Sequence, residues 1–129
     1  MKTLIRCGHL IDGTGSPTTT NMVLVIEGDR ILEVCDSNSY SVDPDDDLVD
    51  LSEHWVLPGL IDAHLHFFGV DSMALDGMYT EPEAYRAIRS VRDAYRLLEA
   101  GFTAVRCLGS PVSPVIARGV NEGIIPGPH

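Results

Sequence analysis

A nearly continuous apolar run, Val56-Leu57-Pro58-Gly59-Leu60-Ile61, leads into Asp62-Ala63-His64-Leu65-His66 and constrains the fold more than any other feature. A strand with one face in water alternates apolar and polar residues. An unbroken apolar run instead suits a strand covered on both faces, as in a parallel α/β sheet or barrel. The residues that follow agree. After a Gly- and Met-containing loop to Tyr79, Thr80 and Glu83 have the spacing of a capping box, with Pro82 tolerated in the first turn. Ala84, Ala87, Ile88, Val91, Ala94, Tyr95 and Leu98 recur at helical spacing and predict a packing face, leaving Arg86, Arg89, Arg92, Asp93, Arg96 and Glu99 to water. Gly101 stands where a left-handed residue ends a helix, Phe102 to Leu108 reads as a second strand, and Ser113-Pro114 opens a short helix through Glu122 that Gly123 closes. Strand, helix, strand, helix is the beginning of a βα-repeat fold.

The preceding residues read differently. Short β-type runs at Thr3 to Ile5, Met22 to Ile26 and Ile31 to Val34, separated by turn signals, predict a small antiparallel sheet, with a tight hairpin at Gly28. Residues 36 to 47 form a polar loop before a further strand at Leu48 to Leu51. The acidic Asp43-Pro44-Asp45-Asp46-Asp47 stretch lacks calcium-ligand spacing and reads as solvated. The expected division is therefore residues 1–55 as a small β-sheet region and 56–129 as two βα units.

Charge and cysteine content narrow the function. A formal net charge of -10 argues against nucleic acid, whose binding needs a basic face to release counterions. Lys2 and Arg6 are followed by Gly8, His9, Asp12 and Gly13 rather than an apolar stretch, so neither a secretory nor a membrane segment is visible. Cys7, Cys35 and Cys107 are odd in number and widely spaced, without a Cys-x-x-Cys pair. Reduced thiols and a cytoplasmic location are the expectation.

On a strand, His64 and His66 fall on one face together with Asp62. Residues two apart lie roughly 6 to 7 Å apart at Cα, a span that two ring nitrogens can close on one ion at about 2.1 Å each. His64-Leu65-His66 is thus a bidentate half-site for a divalent metal, zinc first. A catalytic zinc takes three protein ligands plus water, so two are too few.

The flanks make the pattern specific. Val56 to His66 resembles the Pro-Gly-x-x-Asp-x-His-x-His signature of the amidohydrolase superfamily, and His9-Leu10-Ile11-Asp12-Gly13-Thr14-Gly15 is similar to the opening of those proteins. The likeness continues through Leu98 to Arg106 and Gly119 to Pro128, and is closest to the imidazolonepropionase-like and prolidase-like branch. The resemblance implies a metal-dependent hydrolase acting on C–N bonds of cyclic amides, amides or dipeptides. It also implies a metal-bearing (β/α)8 TIM barrel, with residues 1–55 forming part of a small β-sandwich. His64 and His66 would sit at the C-terminal end of a barrel strand, where catalytic groups gather. There the ion polarises the substrate carbonyl and lowers the pKa of a water. The general base, the remaining ligands and any bridging lysine would come from later strands; Lys2 is in the wrong place to bridge.

A barrel of this type needs about 250 residues. The 129 residues therefore read as an N-terminal fragment with an incomplete barrel, almost without turnover alone, served by a complementing C-terminal chain or a homo-oligomer. Its substrate in the complete enzyme would be a small molecule. The alternative is a truncated non-catalytic remnant or interaction fragment.

Other candidates carry bland readings. Cys107 stands where the family more often has aspartate, and as a small strand residue is expected to pack. Arg106 could hold a substrate carboxylate or form an ordinary ion pair. Asp62 is assigned a structural role, His9 and His54 packing or surface roles, and His129 no evident partner. The series Arg86, Arg89, Arg92 and Arg96, interleaved with Asp93 and Glu99, reads as a solvated helix face.

Overall fold

The structure, a computed structural model, describes residues 1–71 and 75–129. It is a mixed α/β chain that divides into two compact units, Met1–Pro58 and Gly59–His129.

In the first unit, β1 (Thr3–Leu10), β2 (Thr19–Glu27), β3 (Arg30–Asp36) and β4 (Asp47–Val56) form one sheet in the order β3-β2-β1-β4. The β2–β3 hairpin closes as expected. Glu27 pairs with Arg30, and Gly28 takes φ +61° at the first central position, which the right-handed twist of the flanking strands favours. The antiparallel sheet expected over residues 3–35 is present, β1 pairing with β2 and β2 with β3, and β4 adds to it in parallel with β1. Parallel neighbours need a long crossover. Here β2, β3 and the 37–46 loop supply it.

That second pairing also explains why β1 and β4 outrun their predicted lengths. Gly8 sits in a register shift between Cys7 and His9, and a Cβ added there would lie 2.1 Å from the Ser52 carbonyl oxygen. The glycine that interrupts the apolar pattern is what lets the two backbones approach. Leu4, Val23 and Val25 form one buried cluster, and Cys7, Leu10 and Leu24 another. Carboxylates in the acidic loop serve local turns and one tie: Asp43 accepts from the Asp45 amide at 3.1 Å, and Asp46 from the Lys2 amide at 2.8 Å.

The second unit contains β5 (Leu60–Leu65), α1 (Gly77–Thr80), α2 (Glu83–Glu99), β6 (Phe102–Cys107) and α3 (Ser113–Asn121), with β5 and β6 parallel. The strand–helix–strand–helix order is as read. Of the loop expected up to Tyr79, residues 72–74 lie outside the described residues, and Gly77–Thr80 is a helical turn instead. That turn removes the predicted capping box. The Thr80 hydroxyl donates to the Asp76 carbonyl at 3.2 Å, and α2 starts after Pro82 without a side-chain cap. Gly101 takes φ +88° after α2 and Gly123 φ +70° after α3, the left-handed terminations expected. Among the described residues, no helix is long and apolar enough to cross a membrane.

The predicted face of α2 is also corrected. Its buried residues are Arg86, Ser90 and Ala94, on one i, i+4, i+8 stripe, whereas Ile88 is 68% exposed and Tyr95 half-exposed. Ala87, Val91 and Leu97 border the core of Phe67, Ala94, Val112 and Ile116. Small residues bring the helix close, and the backbone after β5 draws the arginines inward. Arg86 Nη1 donates to the Phe68 carbonyl at 3.4 Å and Arg89 Nη1 to the Gly69 carbonyl at 3.0 Å. Arg89 also pairs with Glu81 at 2.8 Å, and Arg92 with Asp71 at 3.1 Å. Arg86, Arg89 and Arg92 thus anchor the 68–71 segment, correcting the expectation of a solvated face, while Arg96 is exposed as expected.

Two predictions follow from these contacts. Gly8→Ala should destabilise the first unit by about 2 kcal/mol or more by forcing β1 from β4, against about 1 kcal/mol for Gly28→Ala, where only φ is strained; urea unfolding compares them. The hydrogen bond from Arg92 holds the Asp71 carboxyl below its ordinary value, against a smaller opposing effect of desolvation. Because the folded value is the lower one, this contribution is complete above the unfolded aspartate value of about 3.9 and is lost as pH falls through the folded value. The stability difference between wild type and Asp71→Asn should accordingly vanish in acid titrations below that range.

Candidate metal centre

The end of β5 is built by an irregularity in its ladder. Asp62 pairs with Val105 and Leu65 with Cys107, so β5 spends one residue more than β6 over this span. Such bulges disrupt the ladder locally and re-aim side chains. The His64 amide turns to its own strand and donates to Asp62 Oδ1 at 3.0 Å. Asp62 therefore has the structural, backbone-bonding role assigned to it.

From the last residue of β5 onward, three successive residues are tied to three successive residues after β6. The Leu108 amide donates to the Leu65 carbonyl at 2.9 Å, His66 Nδ1 lies 2.9 Å from the Gly109 carbonyl, and the Ser110 hydroxyl donates to the Phe67 carbonyl. The middle tie uses a side chain. A carbonyl can only accept, so His66 carries its proton on Nδ1 and presents the lone pair of Nε2. Gly109 supports this arrangement at φ +124°, which a side chain would strain.

The two imidazoles converge. His64 Nε2 and His66 Nε2 are 3.3 Å apart, with the rings edge to face at 70°. With one nitrogen of each ring at about 2.1 Å from a common ion, that separation corresponds to an angle of about 100°, close to tetrahedral. Both histidines are exposed, and the His66 ring stacks on Phe68 at 4.8 Å and 6°. The donor set therefore fits two positions of a divalent-metal site. Among the described residues, no group of three or more His, Cys, Asp or Glu side chains could hold an ion, so further ligands are not close by.

The other candidates lie apart from this pair. His9 stacks on Trp55 at 4.2 Å, and His54 is exposed. Arg106 is exposed and forms no ion pair among the described residues. Cys107 packs against the core; burial pushes its thiol up, but hydrogen bonds with the Phe67 backbone, Ser113 and the Gly109 backbone bring it below the usual value. His129 does have partners, through its backbone: its amide donates to the Thr103 carbonyl at 3.0 Å and its carbonyl accepts from Val105 at 2.7 Å. Sequence reading missed Gly109, Phe68, Arg86 and Arg89. A glycine directly after the second strand was the one available signal for the first.

The Amidohydrolase family pattern matches residues 55–129. Ochratoxinase of Aspergillus niger is 35% identical over 134 residues, covering 98% of this chain and 27% of that protein. A solved Xaa-Pro dipeptidase with methionine bound in its active site superposes with TM-score 0.87 at 34% identity, over 99% of this chain and 32% of that one. A prolidase complexed with N-methylphosphonate-L-proline gives 0.82 at 31%, over 99% and 30%. The chain thus spans about a quarter of the length of the curated relatives it matches. With the family pattern covering more than half of its residues, this chain belongs to the amidohydrolase family.

Proposed function

We propose that the chain supplies the first metal-binding strand of a metal-dependent hydrolase acting on amide C–N bonds, with His64 and His66 as ligands to a divalent ion, zinc first. The approach of the two Nε2 atoms to 3.3 Å carries this reading. The relatives add weight, because a dipeptidase, a prolidase and ochratoxinase all align along nearly the whole chain. In this proposal β5, α2, β6 and α3 are the first two βα units of a TIM barrel, residues 56–129, and residues 1–55 contribute to a small β-sandwich. The enzyme works in the cytoplasm on a small-molecule amide or dipeptide.

Each residue has a defined task. A divalent ion bound here supplies Lewis acidity toward a carbonyl oxygen and lowers the pKa of a water. The Gly109 carbonyl keeps the His66 proton on Nδ1, so that Nε2 is available as a ligand. Asp62 fixes the backbone at His64. The general base and the remaining ligands come from elements that a complementing C-terminal chain, or the rest of a longer polypeptide, provides. A second reading, a non-catalytic remnant or interaction fragment, is favoured by the lack of a third ligand among the described residues.

Zinc titration of the purified chain tests the site: wild type should retain zinc that a His64→Ala, His66→Ala variant loses, and equal retention overturns the assignment. In the metal-free protein, His64 should carry its proton on Nε2 and donate it to His66. Zinc should move that proton to Nδ1 of His64 and leave the His66 tautomer unchanged, as read by side-chain nitrogen NMR. Hydrolysis is tested by mixing the chain with a polypeptide that supplies the remainder of the Xaa-Pro dipeptidase fold. Dipeptide cleavage that depends on His64 and His66 supports the enzyme, and a folded complex without zinc or turnover supports the remnant.

A further inference from the structure

The segment that follows the histidine strand is fastened to α2 in a way that simple packing does not require. Arg86 is 5% exposed, yet among the described residues it forms no ion pair, and its Nε lacks a hydrogen-bond partner. Burying a guanidinium costs several kcal/mol unless it is compensated, and an aliphatic residue would fill the same place at lower cost. What the guanidinium does is hold a carbonyl, that of Phe68, at 3.4 Å. Arg89 holds the next carbonyl, that of Gly69, at 3.0 Å, and is itself steadied by Glu81 at 2.8 Å and Asp71 at 3.5 Å. At Gly69 the segment touches the helix backbone: φ is +63°, and an added Cβ would lie 2.1 Å from the Arg86 carbonyl oxygen. Two consecutive peptide units are thereby immobilised next to the ring that stacks on His66.

The stack answers a geometric need. The hydrogen bond from His66 Nδ1 to Gly109 fixes one ring atom, but leaves the imidazole free to rock about that bond. A parallel aromatic face at 4.8 Å blocks the rocking and keeps Nε2 directed at His64. We infer that Phe68, held through its backbone by Arg86 and Arg89, sets the plane of the His66 ring, making these three positioning residues for the metal half-site. The inference rests on the reading of His66 as a ligand under the proposed function.

The test uses the full chain, labelled with nitrogen-15, as wild type, Phe68→Leu, Phe68→Tyr and Arg89→Gln. Side-chain nitrogen spectra of the metal-free proteins report the His66 tautomer and its Nε2 resonance, and titration reports zinc affinity. Phe68→Leu should leave the His66 proton on Nδ1 but loosen the Nε2 contact with His64, shifting the His66 Nε2 resonance, and weaken zinc binding about tenfold, the lower end of the effect of removing a ligand's support. Phe68→Tyr, which keeps the ring, should match wild type, and Arg89→Gln should shift both readouts in the same direction as Phe68→Leu. A folded Phe68→Leu protein with an unchanged His66 spectrum and unchanged zinc affinity overturns the inference, even if its melting temperature falls. Should Phe68→Leu fail to fold, Arg89→Gln decides by the same criteria. Wild type that takes up no zinc overturns the ligand assignment alone, and the His66 Nε2 resonance of the metal-free variants then decides whether the clamp sets the ring.

Discussion

The second unit depends on the parallel pairing of β5 with β6 being carried past the end of both strands. Regular pairing stops near Leu65 and Cys107, but the ties from residues 65, 66 and 67 to 108, 109 and 110 continue it through a hydroxyl and an imidazole. A strand end normally frays where its partner diverges. Here the ladder is prolonged over three residues, by one backbone bond and then by the ring of the second histidine and a serine hydroxyl. His66 is therefore part of the sheet's hydrogen bonding and part of the candidate site at once.

Around that core the helices take different shares. Ala94 and Ser90 let α2 approach, Val112 and Ile116 bring α3 onto Phe67, and Phe67 is held from behind by Ser110. The first unit relies on another device, a four-stranded sheet whose β1 and β4 touch backbone to backbone at Gly8. Both units thus place a glycine where two backbones must meet, Gly8 between strands and Gly69 between segment and helix.

Much of this was legible in the residues. Gly28 announced a hairpin, and Gly101 and Gly123 announced helix ends, because each is a local backbone requirement; the apolar run before His64 announced a strand but not its extent or cover, since Val56 ends β4, β5 starts at Leu60, and Leu60 and Ile61 are exposed. The His-x-His spacing was legible for the same reason, as period-two geometry. The parallel partner of β1 was not, since a crossover is written in no single segment. Nor was the inward face of α2: periodicity weighs apolar side chains, whereas Arg86 is buried by carbonyls of another segment. Thr80 looked like a cap because its spacing to Glu83 fits one, but Asp76 had already engaged it in a separate turn.

The acceptor that orients His66 is a main-chain oxygen. Swapping side chains along that connection leaves such an acceptor in place, so long as residue 109 can keep its unusual torsion. Control of the Nδ1 side of the imidazole is in this way uncoupled from the side chains of that connection, while the plane of the ring still depends on Phe68. A scaffold with that property can diversify the rim of its site from one descendant to the next while the ring beneath stays put.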